Sequence, residues 1–227
     1  MAINLDKKTT KISLKKNTDF QLAIDFSGSM NKKDVENNGL IPKKEGGGFF
    51  SRFSNNDYIS RKDYSEIKAY ELAQQAALID DDGIDIIPFA SSAKLLTGKG
   101  ADDVAALFKR PPVSGGTNTG AAIRIGLQRH QAKGSSSTVL FIDTDGAPNS
   151  RSDVADAIQE AAQSVSGPSE FAIRFLIVGE PSENLWDWLT KLDNELPRLC
   201  GGKDLVSIGR FEGVTFEAQV GSAKKGQ

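Results

Sequence analysis

Residues 22–30, "LAIDFSGSM", decide which fold and which chemistry the sequence predicts. An apolar run ends at Asp25, and Ser27 and Ser29 follow directly in the next few residues. The run 20–26 is too short for a helix and is flanked by residues that favour turns, so it predicts a buried strand. Such a strand delivers one carboxylate and two hydroxyls to the loop that follows it. Oxygen groups of this kind are the ligands preferred by Mg²⁺, Mn²⁺ and Ca²⁺.

Apolar runs and amphipathic segments alternate along the rest of the chain. The sequence predicts further strands at 83–90, 137–144, 170–179 and 205–209, and helices at 63–79, 102–109, 119–131, 151–165 and 183–196. Continuous apolar strands that are separated by helices are typical of an α/β fold, with a central, mostly parallel sheet flanked by helices on both faces.

Two later loops offer oxygen atoms in the same context. Residues 114–123, "SGGTNTGAAI", form a glycine-rich loop before a predicted helix and contain Thr117, and residues 140–149, "LFIDTDGAPN", end a predicted strand and contain Asp145. The loops at the carboxyl ends of parallel strands converge on one edge of a sheet. The sequence therefore predicts one metal site formed by Asp25, Ser27, Ser29, Thr117 and Asp145. The alternative is a set of ordinary turn and helix-capping residues.

Composition excludes several classes of function. The chain has 227 residues, a net charge of −2 and a sequence pI of about 5.6, which gives no overall attraction to nucleic acid or to anionic membranes. Cys200 is the only cysteine and His130 the only histidine, so an internal disulfide, a cysteine-based metal cluster and a histidine-rich zinc site are excluded. No run has the length of a membrane span or the core of a signal peptide, and we expect a cytoplasmic protein.

The predicted organisation is one main domain with a long insertion. Residues 1–17 form an N-terminal extension, 18–220 the domain and 221–227 a flexible tail. Residues 31–62 interrupt the domain directly after the predicted metal site, and they mix aromatic with basic side chains. A connection of this length without clear periodicity is typical of a functional loop or a disordered one. It could cover the metal site or dock a protein partner, and nucleic acid is the least favoured ligand.

The order of the site residues along the chain resembles a known pattern. Asp25-x-Ser27-x-Ser29 at a strand end, Thr117 before a helix and Asp145 at a second strand end resemble the metal-ion-dependent adhesion site of von Willebrand factor A domains. The resemblance covers residues 18–210 and implies the Rossmann-like fold of those domains. It implies that Ser27 and Ser29 bind a divalent cation directly, that Thr117 does so in one conformational state, and that Asp25 and Asp145 act largely through water.

The same resemblance implies a non-enzymatic function. A protein partner would supply an acidic side chain to the cation, with Mg²⁺ the expected ion and Mn²⁺ or Ca²⁺ as alternatives. Residues 71–89, "ELAQQAALIDDDGIDIIPF", resemble the A domains of the tellurium-resistance and copine branch, and residues 3–16 are similar to the N-terminal run of tellurium-resistance proteins. This narrower likeness implies an intracellular tellurium-resistance or stress-response assembly.

The sequence is also compatible with two other functions. The pattern "DTDG" after a strand would also suit a haloacid-dehalogenase-like phosphatase, in which Asp143 is the nucleophile and Asp145 the general acid. The chain could also be a structural A-domain subunit whose metal site is unused. The acidic run at 80–82 lacks the spacing of a calcium-binding loop and predicts a solvated turn away from the site.

Overall fold

Eight strands and five helices make up the part of the chain that the computed structural model describes, which comprises residues 18–38, 40, 53, 57–77 and 83–211. The strands are β1 (Asp19–Asp25), β2 (Lys33–Glu36), β3 (Tyr58–Ser60), β4 (Ile84–Phe89), β5 (Leu96–Lys99), β6 (Thr138–Thr144), β7 (Phe171–Ile177) and β8 (Val206–Arg210). The helices are α1 (Arg61–Ala76), α2 (Ala101–Lys109), α3 (Thr119–Lys133), α4 (Arg151–Ser164) and α5 (Glu183–Leu199).

The central sheet has six strands in the order β5-β4-β1-β6-β7-β8. All neighbours pair in parallel except β4 and β5, which are antiparallel. The chain moves outward from β1 to β4 and β5, and then returns to the other side of β1 to add the last three strands. The direction of winding therefore reverses between β1 and β6, which places a crevice at the carboxyl ends of these two strands. The predicted α/β architecture is confirmed.

Helices cover both faces of the sheet because side chains alternate along the buried strands. Leu22 and Ile24 of β1 belong to an apolar cluster with side chains from α1 and α2. Ala23, between them, belongs to a second cluster with side chains from α3, α4 and α5. Residues of β1 and β6 thus contact the core on both sides, which holds the ends of these strands in fixed positions.

Three short strands depart from the sequence prediction. β5 is an antiparallel edge strand with exposed residues at its centre. β2 and β3 pair with each other in a small antiparallel ribbon inside the predicted insertion 31–62, where the sequence predicted no regular structure.

Helix α1 begins at Arg61 rather than at residue 63, because the side chain of Ser60 caps it by accepting a hydrogen bond from the backbone N–H of Asp63 at 3.0 Å.

Several sequence predictions lie outside the described residues. These are the N-terminal extension 1–17, the acidic run 80–82, most of the insertion between 41 and 56, and the tail 221–227. Among the helices that the structure describes, none combines the length and the apolar character needed to cross a membrane.

A matched pair of leucines on α5 tests the packing of the second cluster. Leu189 is 2% exposed and Leu199 is 70% exposed. We expect Leu189→Ala to lower the free energy of unfolding by about 2–5 kcal/mol, since it removes buried methyl groups and leaves a cavity. Leu199→Ala should change it by less than about 0.5 kcal/mol. Urea unfolding followed by circular dichroism measures both values, and equal losses would contradict the packing of α5.

Candidate metal centre

The predicted ligands lie at the crevice between β1 and β6. Asp25 is the last residue of β1, and Asp145 follows directly after the last residue of β6. The backbone N–H of Phe26 donates to the carbonyl of Phe89 at 2.8 Å, so the loop after β1 leaves the sheet beside the end of β4. The reversal of winding separates the helices that follow β1 and β6, which leaves room for a ligand above these strand ends.

Asp25 fixes the conformation of the loop that follows β1. Its carboxylate is completely buried; one oxygen accepts a hydrogen bond from the backbone N–H of Ser27 at 2.7 Å, and the other accepts one from the hydroxyl of Thr144 at 2.6 Å. Burial raises the pKa of Asp25 to about 6, although these hydrogen bonds act in the opposite direction. Asp25 therefore fixes the conformation of the serine loop and ties it to the end of β6.

Ser27, Ser29 and Asp145 form one hydrogen-bonded cluster. The two serine hydroxyl oxygens are 3.0 Å apart, and the hydroxyl of Ser29 donates to Oδ1 of Asp145 at 2.8 Å. Ser27 precedes a short 3₁₀ helix (Gly28–Asn31), but its hydroxyl does not cap that helix. The structure thus brings together three of the predicted ligands from two separate loops, and the simple capping alternative does not account for Ser27.

Hydrogen bonds connect the loop that carries Thr117 to the loops that follow β1 and β6. The N–H of Thr117 donates to the side-chain oxygen of Asn149 at 2.9 Å, and its carbonyl accepts from the N–H of Asn149 at 2.8 Å. The carbonyl of Gly115 accepts from the N–H of Gly28 at 3.3 Å. A side chain on Gly116 would collide with Asn149, which explains why this loop needs glycine. Within the described part of the chain, the hydroxyl of Thr117 makes no hydrogen bond.

The donor set at this edge fits a hard divalent cation. It contains three hydroxyls and the carboxylates of Asp25 and Asp145, all of them oxygen ligands. The described residues contain no group of three or more His, Cys, Asp or Glu side chains suited to a metal. Ser29 and Gly28 are exposed, so the described residues leave one side of the cluster open to solvent.

The single histidine lies far from this cluster. Nδ1 of His130 is 2.9 Å from the hydroxyl of Thr138, the first residue of β6, whereas Asp145 follows the end of that strand. A strand of seven residues spans about 23 Å at a rise of about 3.3 Å per residue. His130 therefore belongs to the opposite edge of the sheet and is a buried structural residue.

Asp143, the other candidate in the "DTDG" segment, points away from the crevice. It is completely buried, and Oδ1 accepts a hydrogen bond from the hydroxyl of Ser65 on α1 at 3.0 Å. Oδ2 has no hydrogen-bond partner among the described residues. Burial raises the pKa of Asp143 well above its usual range. It lies between the sheet and α1 rather than beside Ser27 and Ser29.

Arg61, which the sequence did not predict as a site residue, places a positive charge at the site. Nη1 of Arg61 donates to Oδ2 of Asp145 at 2.7 Å. Nε and Nη2 of the same guanidinium donate to the two carboxylate oxygens of Asp34 on β2, at 2.8 Å and 2.6 Å. The side chain of Arg61 is 7% exposed and that of Asp145 is fully buried. A protein cation therefore joins a predicted metal ligand to the ribbon of the insertion.

No local pattern indicated Arg61, because the sequence predicted that helix α1 begins at residue 63. Arg61 occupies the first position of α1, where the helix dipole disfavours a positive charge. An arginine at such a position suggests acidic partners from elsewhere in the fold. Here the guanidinium holds the pKa of Asp34 below its usual range, and the two carboxylates raise the pKa of Arg61 further.

Comparisons with known proteins identify the fold but no family. No protein-family model matches the sequence. No curated protein matches it either.

Solved structures that resemble the chain include three bacterial proteins. The PilB minor pilin from Streptococcus sanguinis is 13% identical with a TM-score of 0.57, and the match covers 93% of this chain and 61% of the pilin. A von Willebrand factor type A protein from Catenulispora acidiphila is 17% identical with a TM-score of 0.52, covering 91% of this chain and 42% of that protein. An aerotolerance-related membrane protein from Bacteroides fragilis is 14% identical with a TM-score of 0.50, covering 92% and 96%.

At these identities the likeness concerns the fold alone. The chain has the α/β, Rossmann-like fold of von Willebrand A domains, and it spans less than two thirds of the length of the pilin and of the Catenulispora protein.

The raised pKa of Asp25 predicts a pH dependence in the presence of chelator. Between the ordinary aspartate pKa of about 4 and the folded value of about 6, the folded protein binds more protons than the unfolded chain, so stability falls as pH rises. Asp25→Asn lacks this titration. Between pH 4 and pH 7, we expect the free energy of unfolding of the wild type to fall by about 2–3 kcal/mol more than that of Asp25→Asn. Denaturant unfolding across this range measures the difference, and parallel curves for the two proteins would contradict it.

Proposed function

We propose that this protein is a divalent-cation-dependent protein-binding module. The observation that carries the proposal is the cluster of Ser27, Ser29 and Asp145 at the crevice of the sheet. The hydroxyl of Ser29 lies 3.0 Å from that of Ser27 and 2.8 Å from Oδ1 of Asp145. These atoms come from two loops that contact each other only because β1 and β6 are neighbours. A concentration of hydroxyl and carboxylate oxygens at this position is what a hard cation requires.

Each residue has a distinct part in such a site. Ser27, Ser29 and Thr117 would hold the ion through their hydroxyls, and Asp25 and Asp145 would act largely through water. Asp25 orients the serine loop through the N–H of Ser27. Asn149 holds the Thr117 loop against the loop that carries Asp145. When bound, the cation would supply an electrophilic centre that accepts an oxygen from an acidic side chain of a partner protein.

Mg²⁺ is the proposed ion, with Mn²⁺ and Ca²⁺ as alternatives. Hydroxyl and carboxylate oxygens favour these hard cations, whereas softer metals favour sulfur and imidazole ligands. Cys200 is buried among the residues of α5 and β8, and His130 lies at the other edge of the sheet, so neither competes for this role. Few charged ligands touching the ion would leave it able to accept an acidic group.

The proposed module is not an enzyme. The phosphatase alternative requires Asp143 to reach a substrate as a nucleophile. The complete burial of Asp143 against Ser65 of α1 favours a structural role for that carboxyl group. The predicted ligands at the crevice would hold a cation and orient the group that it binds.

The biological setting is proposed from the sequence resemblance. Residues 71–89 and 3–16 favour a cytoplasmic role in a tellurium-resistance or stress-response assembly. A net charge of −2 makes nucleic acid an unfavourable partner. The structural-subunit alternative, in which the metal site is unused, predicts the same fold but assembly that does not depend on the ion.

Metal binding should stabilise the fold through the two serines. With Mg²⁺ or Mn²⁺ at about ten times Kd, the free energy of unfolding should rise by about 1.4 kcal/mol. This corresponds to an increase of about 3–6 °C in Tm for a chain of this size. The double variant Ser27→Ala/Ser29→Ala should lose the increase, whereas Ser136→Ala/Ser169→Ala, which alters two exposed serines, should keep it. An equal increase in Tm for both variants would contradict the site.

Partner binding separates the module from the structural subunit. We expect proteins captured from extracts of the native host by the wild type to be lost with chelator and with Ser27→Ala/Ser29→Ala, and to be retained by Ser136→Ala/Ser169→Ala. Mass spectrometry of the four samples identifies them. A partner that remains bound in chelator and to the serine variant would favour the subunit with an unused metal site.

A further inference from the structure

The guanidinium of Arg61 is shared between the metal edge and the insertion. It donates one hydrogen bond to Oδ2 of Asp145 and two to Asp34, at distances of 2.6–2.8 Å. The other oxygen of Asp145, Oδ1, accepts from Ser29. The same carboxylate thus contacts the proposed metal ligands through one oxygen and a permanent positive charge through the other.

The fold provides a dedicated slot for this side chain. Gly179, in the loop after β7, has a positive φ of 70°, and a Cβ atom there would lie 2.7 Å from Nε of Arg61 and 3.3 Å from Oδ1 of Asp34. Nη2 of Arg61 also lies 3.5 Å from the carbonyl of Glu180 in the same loop. The guanidinium is therefore enclosed by β2, by the end of β6 and by the loop after β7.

Electrostatics make Arg61 a competitor of any cation at the cluster. A buried arginine is always charged, and its interaction with a neighbouring ion is weakly screened because the side chains are excluded from water. Arg61 already neutralises much of the negative charge of Asp145. A divalent cation that used Asp145 would gain less from this carboxylate, and it would meet repulsion from the guanidinium.

Asp34 also affects the charge near Asp145, because it binds the same guanidinium. Its two oxygens hold Nε and Nη2, so it draws the guanidinium toward the ribbon and partly offsets its charge. Without the negative charge of Asp34, the guanidinium would have Asp145 as its one remaining carboxylate partner among the described residues. A change in the charge of Asp34 would therefore alter the interaction between Arg61 and Asp145 at the metal edge.

We infer that Arg61 is a built-in counter-cation that weakens metal binding, and that Asp34 of the insertion sets how strongly it does so. Arg61 and Asp34 are positioning residues, since they act through Asp145 rather than on the ion. The inference rests on the proposed function, because it assumes a cation at the Ser27–Ser29–Asp145 cluster.

The test is the affinity for Mn²⁺ of the full chain, measured by the loss of the free-ion electron paramagnetic resonance signal at low salt. Arg61→Gln should bind Mn²⁺ at least about tenfold more tightly than the wild type, since it removes one positive charge beside a ligand. Arg61→Lys keeps the charge and should stay within about threefold of the wild type. Arg124→Gln, which removes an arginine paired with Asp153 and Glu160 between α3 and α4, is the matched control and should not change the affinity.

Asp34 provides a second test that leaves Arg61 intact. Asp34→Asn should weaken Mn²⁺ binding by about threefold or more, and the effect should be much smaller in the Arg61→Gln background because the two residues act as a unit. A purely structural role for Arg61 predicts that Arg61→Gln binds Mn²⁺ more weakly, so tighter binding separates the two roles.

The outcomes distinguish this inference from the proposed function. If the wild type binds Mn²⁺ and folded Arg61→Gln binds it with the same affinity, the inference is overturned and the proposed function stands. Binding that appears only in Arg61→Gln would support the inference strongly. Absence of binding in every variant would overturn both, and an equal effect of Asp34→Asn in the two backgrounds would overturn the role of Asp34.

Discussion

Negative charge crowded at the carboxyl ends of β1 and β6 is the constraint on which the rest of this structure depends. Asp25, Asp143 and Asp145 lie on two adjacent strands or directly after them, and none is exposed by more than 2%. Buried carboxylates of this density cannot all remain ionised without compensation. Each one has different partners: Asp25 accepts hydrogen bonds from the serine loop and Thr144, Asp143 accepts one from Ser65, and Asp145 is paired with Arg61.

This arrangement links the topology to the proposed chemistry. Reversal of winding between β1 and β6 opens a crevice, and the loops that line it carry Ser27, Ser29 and Asp145. The hydrogen bonds of Asn149 bring the Thr117 loop to the same edge. A divalent cation would complete the neutralisation that Arg61 achieves only in part. The fold shared with von Willebrand A domains thus provides the crevice, and the local carboxylates would affect how strongly a cation binds there.

The sequence predicted the parts of the molecule that have a strong local signal. β1, β6 and β7 are long apolar runs, and the polar residues at the ends of β1 and β6 could be assigned to one edge because parallel strands point the same way. β5 was missed because it is short, antiparallel and half exposed. The β2–β3 ribbon was missed because its four-residue strand Lys33–Glu36 is largely charged and shows no clear alternation of apolar residues.

Arg61 could not be placed from the sequence because its partners are far away along the chain. Asp34 precedes it by 27 positions and Asp145 follows by 84, and only the packing of α1 beside β1 and β6 brings the three together. The burial of Asp143 depends in the same way on Ser65 of α1. Local patterns thus identified oxygen atoms that the fold brings to one edge of the sheet, whereas the arginine beside them is placed by long-range contacts.

The most direct measurement is an anomalous difference map from crystals of the full chain soaked in Mn²⁺. We expect a peak within about 2.0–2.6 Å of the hydroxyl oxygens of both Ser27 and Ser29, on the side of Asp145. A map that shows these loops clearly but has no peak there, or has manganese only elsewhere, would contradict a cation site at the two serines.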